Sequence, residues 1–304
     1  MLVNFNEILK EAKEKHYAVP HFNINNLEWA KYILEECNKL QVPVILGVSS
    51  SAAQYMGGWS VPVAFTESLI EELNINIPVC LHVDHGSFDD CKKAIDAGFK
   101  SVMIDASKYS FTENIDITKS VVSYAHKYNV SVEAELGYIG SNISDESNCP
   151  SKETCLEFYK ETGIDALAPA IGNAHGIYKQ KPHLQLKHLG EISKIVPIPL
   201  VLHGGSGISN EDIKECIKNG ISKVNINTDL QIAWAKGIRK FLQDNKDVYD
   251  PRKIILSGRK NMINQIKHLV KTFNTKRVSD FSKNNTAPSF SFVLTRRVII
   301  TTSK

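Results

Sequence analysis

Six cysteines are scattered along the chain, and no two of them form a Cys-x-x-Cys pair. That absence excludes the dithiol redox motif and the zinc ribbons built on the same spacing. The N-terminus carries no secretory signal, so Cys37, Cys80, Cys91, Cys149, Cys155 and Cys216 read as reduced thiols of a cytoplasmic protein. No apolar run is long enough to cross a bilayer. An excess of one charge is also missing. Lys and Arg number 36 against 33 Asp and Glu, a formal net charge of +3 spread along the sequence. Nucleic-acid and membrane partners call for a stronger bias than that.

The rest of the composition is that of a globular protein. The 304 residues, 42% hydrophobic and 23% charged, suffice for one barrel-sized domain or two smaller ones. Within them one design recurs. Ile77-Pro78-Val79-Cys80-Leu81 leads into His82-Val83-Asp84-His85-Gly86. The segment from Ala166 to Gly172 leads into Asn173-Ala174-His175-Gly176, and Ile198-Pro199-Leu200-Val201-Leu202 into His203-Gly204-Gly205-Ser206-Gly207. Each time an apolar strand delivers His-Gly at its carboxyl end.

Hydrophobic periodicity predicts eight strand-then-helix units. The strands end at Asn23, Ser49, Asp84, Asp105, Glu135, near Gly172, at His203 and at Ile226. Asn4 is placed to cap a short leading helix and Asn26 a second one. Further helices are expected over Val63–Leu73, Asp89–Ala97, Thr112–Tyr128, Thr154–Thr162, Asn210–Lys218 and Asp229–Leu242, with a last one from Lys260 to about Phe273. The polar stretch from Ser141 to Ser151 has the composition of a loop. Eight units make an α/β fold, the (β/α)8 or TIM barrel; a doubly wound open sheet rarely needs so many near-equal units. The barrel domain is expected to span residues 1–273. Residues 274–304, with Ser, Thr, Lys, Arg and the patch Val298-Ile299-Ile300, read as a disordered tail, an interaction arm or a readthrough product.

A barrel carries its functional groups at the carboxyl ends of its strands. Neutral imidazoles there suit a zinc ion, and three protein ligands leave a position open for substrate. His85, His175 and His203 are the ligand set. Zinc on a carbonyl oxygen polarises it and stabilises an enediolate by several kcal/mol. A single histidine is more often a hydrogen-bonded core or surface residue; three His-Gly strand ends in one barrel reverse that balance. His82 points away from its neighbour on the strand and reads as a packing or supporting residue. Asp84 is placed to shuttle a substrate hydroxyl proton, with orientation of a ligand histidine as the plainer alternative. Asp105 and Glu135 either hold a second metal position or hydrogen-bond to the ligands, and Glu133 shares the facing of Glu135. Gly204-Gly205-Ser206-Gly207 and Asn225-Ile226-Asn227-Thr228 follow strands seven and eight, where barrels commonly bind phosphate, and Gly176 and Lys179 can complete that cradle.

These motifs resemble the class II, zinc-dependent fructose-bisphosphate aldolases, in the shorter-loop branch shared with tagatose-bisphosphate aldolases. The matching pieces include Phe22-Asn23-Ile24-Asn25-Asn26, Tyr55-Met56-Gly57-Gly58, His82-Val83-Asp84-His85-Gly86, Val132-Glu133-Ala134-Glu135-Leu136-Gly137 and Tyr249-Asp250-Pro251-Arg252-Lys253. With the three His-Gly ends they run in order over most of residues 1–255. The resemblance implies reversible cleavage of fructose 1,6-bisphosphate to dihydroxyacetone phosphate and glyceraldehyde 3-phosphate. It implies zinc on His85, His175 and His203, Asp84 as acid/base at the C4 oxygen, and an alternative metal position at Asp105 and Glu135. Asn23, Ser49, Gly176, Lys179, Gly204, Gly205, Ser206, Asn225, Asn227 and Thr228 are expected around substrate and phosphate. Arg252 is expected to reach the substrate of a neighbouring subunit in a homodimer or homotetramer. A sodium or potassium ion can sit near the phosphate.

Two stretches depart from the family. Its loop after strand five carries a glutamate that takes the proton from the dihydroxyacetone phosphate carbon. Here Gly140-Ser141-Asn142-Ile143-Ser144-Asp145-Glu146 is shorter and puts Ile143 at that place, leaving Glu146, or Asp145, to take the role. The tail beyond Phe273 resembles nothing in the family. Rival readings are a tagatose 1,6-bisphosphate aldolase, a zinc hydrolase on the same barrel, and a homologue that binds phosphosugars without cleaving them.

Overall fold

The computed structural model describes residues 2–140 and 146–278. Eight strands pair in parallel in chain order: β1 (Val19–Asn23), β2 (Val44–Ser49), β3 (Val79–Gly86), β4 (Ser101–Ile104), β5 (Ser131–Leu136), β6 (Ala166–Pro169), β7 (Leu200–Leu202) and β8 (Ile221–Ile226). β8 pairs with β1 and closes the barrel. A helix or helix pair follows each strand, so the architecture is the (β/α)8 barrel.

Local chemistry sets the helix ends. The Asn26 side chain accepts from Trp29 N–H at 2.9 Å and opens α2 (Leu27–Leu40). Ser87 with Asp90, and Ser110 with Glu113, form reciprocal capping boxes at the starts of α5 (Phe88–Ala97) and α6 (Phe111–Ala125). Gly98 and Gly163 end α5 and α7 (Lys152–Thr162) in the left-handed conformation.

The leading helix α1 (Asn6–Glu14) plugs the amino end of the barrel. Its Phe5 flank, Ile8, Leu9 and Ala12 pack with the inward-facing Val19, Ile45, Cys80, Ala166, Ala168 and Val201. Two residues further along the strands the interior turns polar: His21 follows Val19, Gly47 follows Ile45, and His82 follows Cys80. Period-2 alternation carries the same face on to Asn23, Ser49 and Asp84. The stack thus runs from an apolar floor through a polar middle to the rim. The outward faces pack against the surrounding helices in the larger core.

Several boundaries differ from the sequence reading. Asn4 is not the first cap; α1 starts directly after Phe5, and the Asn4 side-chain oxygen Oδ1 accepts from Asn6 N–H at 3.1 Å. β6 stops at Pro169, short of Gly172. Three helices appear that periodicity did not predict: α3 (Ser50–Met56), α8 (Leu186–Ile195) and α11 (Pro251–Ser257), two of them only seven residues long. α4 (Ser60–Glu72) begins ahead of Val63 because Pro62 sits comfortably in a first helical turn. α9 (Asn210–Lys218), α10 (Thr228–Asp244) and α12 (Arg259–Thr272) complete the ring. Past α12 the chain stays tied to the barrel: the Thr275 hydroxyl donates to Ala18 C=O at 2.7 Å, and Val278 N–H to Gln41 C=O at 2.7 Å. The rest of the tail, with its Val298-Ile299-Ile300 patch, lies outside the described residues. Among the described residues no helix is long and apolar enough to cross a membrane.

Candidate metal and phosphosugar site

Asp84 and His85 end β3 side by side. A regular strand turns neighbours to opposite faces. Here the pairing of β3 with β4 shifts register between Val83 and Gly86, and His85 takes a left-handed φ of 54°. Both side chains therefore line one cavity of about 100 Å³ at the strand ends. Asn23, His175, Gly176, His203, Gly204, Ser206, Asn225, Asn227 and Thr228 complete its lining.

The three histidines converge. His85 Nε2 lies 3.1 Å from His175 Nε2 and 2.9 Å from His203 Nδ1. On its other edge, His85 Nδ1 lies 2.8 Å from Asp105 Oδ2 and 3.9 Å from Glu135 Oε2. His85, His175 and His203 form one group of donors able to hold a metal; His85, Asp105 and Glu135 form a second. Asp84 is held by Asn23 Nδ2 at 2.7 Å and faced by Asn225 Nδ2 at 3.4 Å.

Backbone geometry builds the opposite wall. Gly204 has a φ of 62°, and a Cβ there would lie 1.9 Å from Ala174 C=O. The Tyr178 hydroxyl accepts from Ala174 N–H and donates to Gly204 C=O, joining the loops after β6 and β7. Asn227 and Thr228 bring the N-terminus of α10 to the cavity, a position favourable to an anion.

Other expected residues stand elsewhere. Ser49 caps α3 through Ala52 N–H. Gly205 packs below the rim, where a Cβ would meet Val224. Lys179 is exposed on the segment after β6 and does not line the cavity. Arg252 is exposed at the start of α11 and paired with Asp250 at 2.9 Å. Glu146 opens a single 3-10 turn, Glu146–Asn148, while its side chain, Asp145 and Ile143 lie outside the described residues.

The charges of the site are strongly coupled. Burial pushes the His85 imidazolium toward losing its proton, yet the Asp105 hydrogen bond and the charges of Asp84 and Glu135 outweigh it and raise its pKa to about 9. Burial, then the charge of His85, lowers His175 and drives His203 well below the usual imidazole range. Burial raises the Glu135 carboxyl to about 8. Asp84 stays ionised: burial opposes its charge, but the imidazoles of His21, His85 and His203 and the Asn23 amide hold it below the ordinary carboxylate range.

Four supporting residues surround the site; of these the sequence singled out only Glu133, by its facing, and not its partner. Glu133, fully buried, lies 2.8 Å from His203 Nε2 through Oε1. Lys223, also fully buried, pairs with the other oxygen of Glu133 at 2.8 Å. His21 stacks edge-on against His82, and Asn173 Nδ2 donates to His203 C=O at 2.9 Å. A lysine in the middle of an apolar barrel strand was the available signal for Lys223. His82 is buried with Nδ1 2.7 Å from Ser101 Oγ, as a supporting residue should be.

The donor set fits a metal ion. Three imidazoles with adjacent nitrogens 2.9–3.1 Å apart share one small polar space, and Glu135 Oε2 is buried without a hydrogen-bond partner beside it. Fold and site together define a (β/α)8 protein whose strand ends gather a histidine cluster able to hold a metal, beside the N-terminus of α10. The chain matches the family described as "Fructose-bisphosphate aldolase class-II" over residues 3–277. Fructose-bisphosphate aldolase from Staphylococcus epidermidis is 49% identical over 279 residues, covering 90% of this chain and 98% of that protein. The enzyme of the same name from Geobacillus stearothermophilus is 51% identical over 263 residues, covering 85% and 92%. The crystal structure of the YdjI aldolase from Escherichia coli K12 superposes with a TM-score of 0.78 at 32% identity, covering 90% of this chain and 98% of that one. The chain belongs to the class II fructose-bisphosphate aldolase family, a family of metal-dependent lyases.

Proposed function

We propose that this protein cleaves fructose 1,6-bisphosphate reversibly to dihydroxyacetone phosphate and glyceraldehyde 3-phosphate, using Zn²⁺ held by His85, His175 and His203. The observation that carries the reading is the convergence of three imidazoles beside an ionised aspartate in one cavity. The names of relatives near 50% identity supply the substrate. Bound there, Zn²⁺ supplies Lewis-acid polarisation of the substrate carbonyl.

The chain's own residues do the rest. Asp84, fixed by Asn23, takes the proton of the C4 hydroxyl as the C3–C4 bond breaks. The bonding electrons pass toward the C2 carbonyl, and Glu146 returns a proton to C3. Asp105 and Glu135 offer a second position for the ion beside His85. Gly176, Gly204, Ser206, Asn225, Asn227 and Thr228 receive the dihydroxyacetone phosphate moiety, with Lys179 adding positive charge, Gly205 the turn, and Ser49 a hydroxyl near the rim. A sodium or potassium ion beside the phosphate belongs to the same reading. So does a homodimer or homotetramer, in which exposed Arg252 reaches a neighbour's substrate. The free thiols of Cys37, Cys80, Cys91, Cys155 and Cys216 fit a reducing, cytoplasmic setting.

The test is a coupled assay on fructose 1,6-bisphosphate after chelation with EDTA and after zinc is restored, with tagatose 1,6-bisphosphate in parallel. Cleavage lost to EDTA, restored by zinc and faster for the fructose sugar supports the reading. A faster tagatose reaction moves the substrate to its C4 epimer. No cleavage of either sugar by zinc-loaded protein contradicts it.

A further inference from the structure

Lys223 is fully buried inside the barrel, where a lone ammonium is costly. It has two partners: it forms an ion pair with Glu133 Oε2 on β5 at 2.8 Å and donates to Asn225 Oδ1 on its own strand at 2.8 Å. Each leads to a different part of the site. Glu133 Oε1 lies 2.8 Å from His203 Nε2. Asn225, its oxygen turned to the lysine, presents Nδ2 to Asp84 Oδ1 at 3.4 Å.

We infer that Lys223 and Glu133 are positioning residues that lock His203 in the tautomer with its proton on Nε2, and so set the affinity of the site for metal. A neutral imidazole carries one N–H. An ionised carboxylate can only accept, so Glu133 fixes that proton on Nε2 and leaves the Nδ1 lone pair facing His85 and His175. Lys223 Nζ, 2.8 Å from Glu133 Oε2, anchors the carboxylate from its other side and holds Oε1 against His203. Stability alone does not account for such a pair, because apolar replacements of buried ion pairs are often neutral or stabilising. The inference rests on the reading of His203 as a metal ligand.

The experiment measures zinc affinity by competition with a chromogenic chelator, and the His203 tautomer by ¹⁵N NMR of the metal-free protein. In E133Q the amide oxygen turns to Lys223 and its NH₂ to His203, which moves the proton to Nδ1. The double variant E133L/K223M removes both charges together and keeps a packed interior. Both variants are expected to bind zinc about 10–100-fold more weakly and to lose the Nε2–H signal. If E133Q does not fold, the double variant decides alone. Wild-type zinc affinity with an unchanged tautomer in the folded variants would overturn the inference. The control H203A separates the two readings: undiminished zinc affinity there would overturn the ligand role of His203 itself.

Discussion

Asp84 and His85 are consecutive residues that open onto the same cavity, and the left-handed backbone at His85 is what turns them together. A residue with a Cβ holds that conformation at a cost of roughly 1–2 kcal/mol, which glycine escapes. H85G and H85A should therefore both bind zinc poorly, while metal-free H85G unfolds in urea with about 1 kcal/mol more stability than H85A. Equal midpoints would show that the turn stores no strain.

Removing the charge of Asp84 tests its proton transfer. D84N keeps the size of the side chain and the His85, His175, His203 cluster. Zinc binding should persist while kcat falls about 10²–10⁴-fold, the usual worth of a positioned acid/base. E146Q should also lower kcat with bound zinc retained, and D145N should not. If D145N is the slow variant, the loop proton belongs to Asp145.

The metal-free protein should lose stability as pH rises. His85 titrates at about 9 when folded, above its ordinary 6.5, so its contribution is complete below 6.5 and disappears as pH passes through 9. Glu135 titrates at about 8 against an ordinary 4.5, so the folded state also holds a proton there that the unfolded chain has released. Both effects have the same sign. Urea midpoints of chelated protein should fall between pH 6.5 and 9, and the gain from added zinc should grow over that range, since zinc displaces the proton. A midpoint that climbs with pH would contradict the charge arrangement.

Gly47 makes room for the polar middle of the barrel. A Cβ there would lie 1.8 Å from His21 Nε2, a fully buried ring wedged against His82. G47A should cost about 1–3 kcal/mol by denaturant unfolding. A neutral substitution would mean the His21 ring has room to move.

The strand ends were legible because each apolar run stops at a polar or His-Gly boundary: β4 stops one residue before the expected Asp105, α9 has the limits periodicity predicts, and Asn26 caps the helix it precedes. The convergence of His85, His175 and His203 followed from the barrel itself. What was hidden depends on contacts between distant strands. Nothing local in Glu133 says that it faces His203 across the barrel, or that Lys223 lies beside it. The shared facing of Asp84 and His85 arises from a register shift that strict alternation denies. The helix α11 is too short for a 3.6-residue period to show, and a family motif alone marked its start.

If aldol cleavage depends on a metal held by His85, His175 and His203, activity must follow bound metal. The most direct measurement titrates zinc into chelated protein and follows bound metal and fructose 1,6-bisphosphate cleavage in the same samples, for the native chain and for H203A. Activity should rise in step with bound zinc, level off when the site is full, and fail to appear in H203A. Cleavage by the chelated, zinc-free protein, or undiminished activity in H203A, would contradict it.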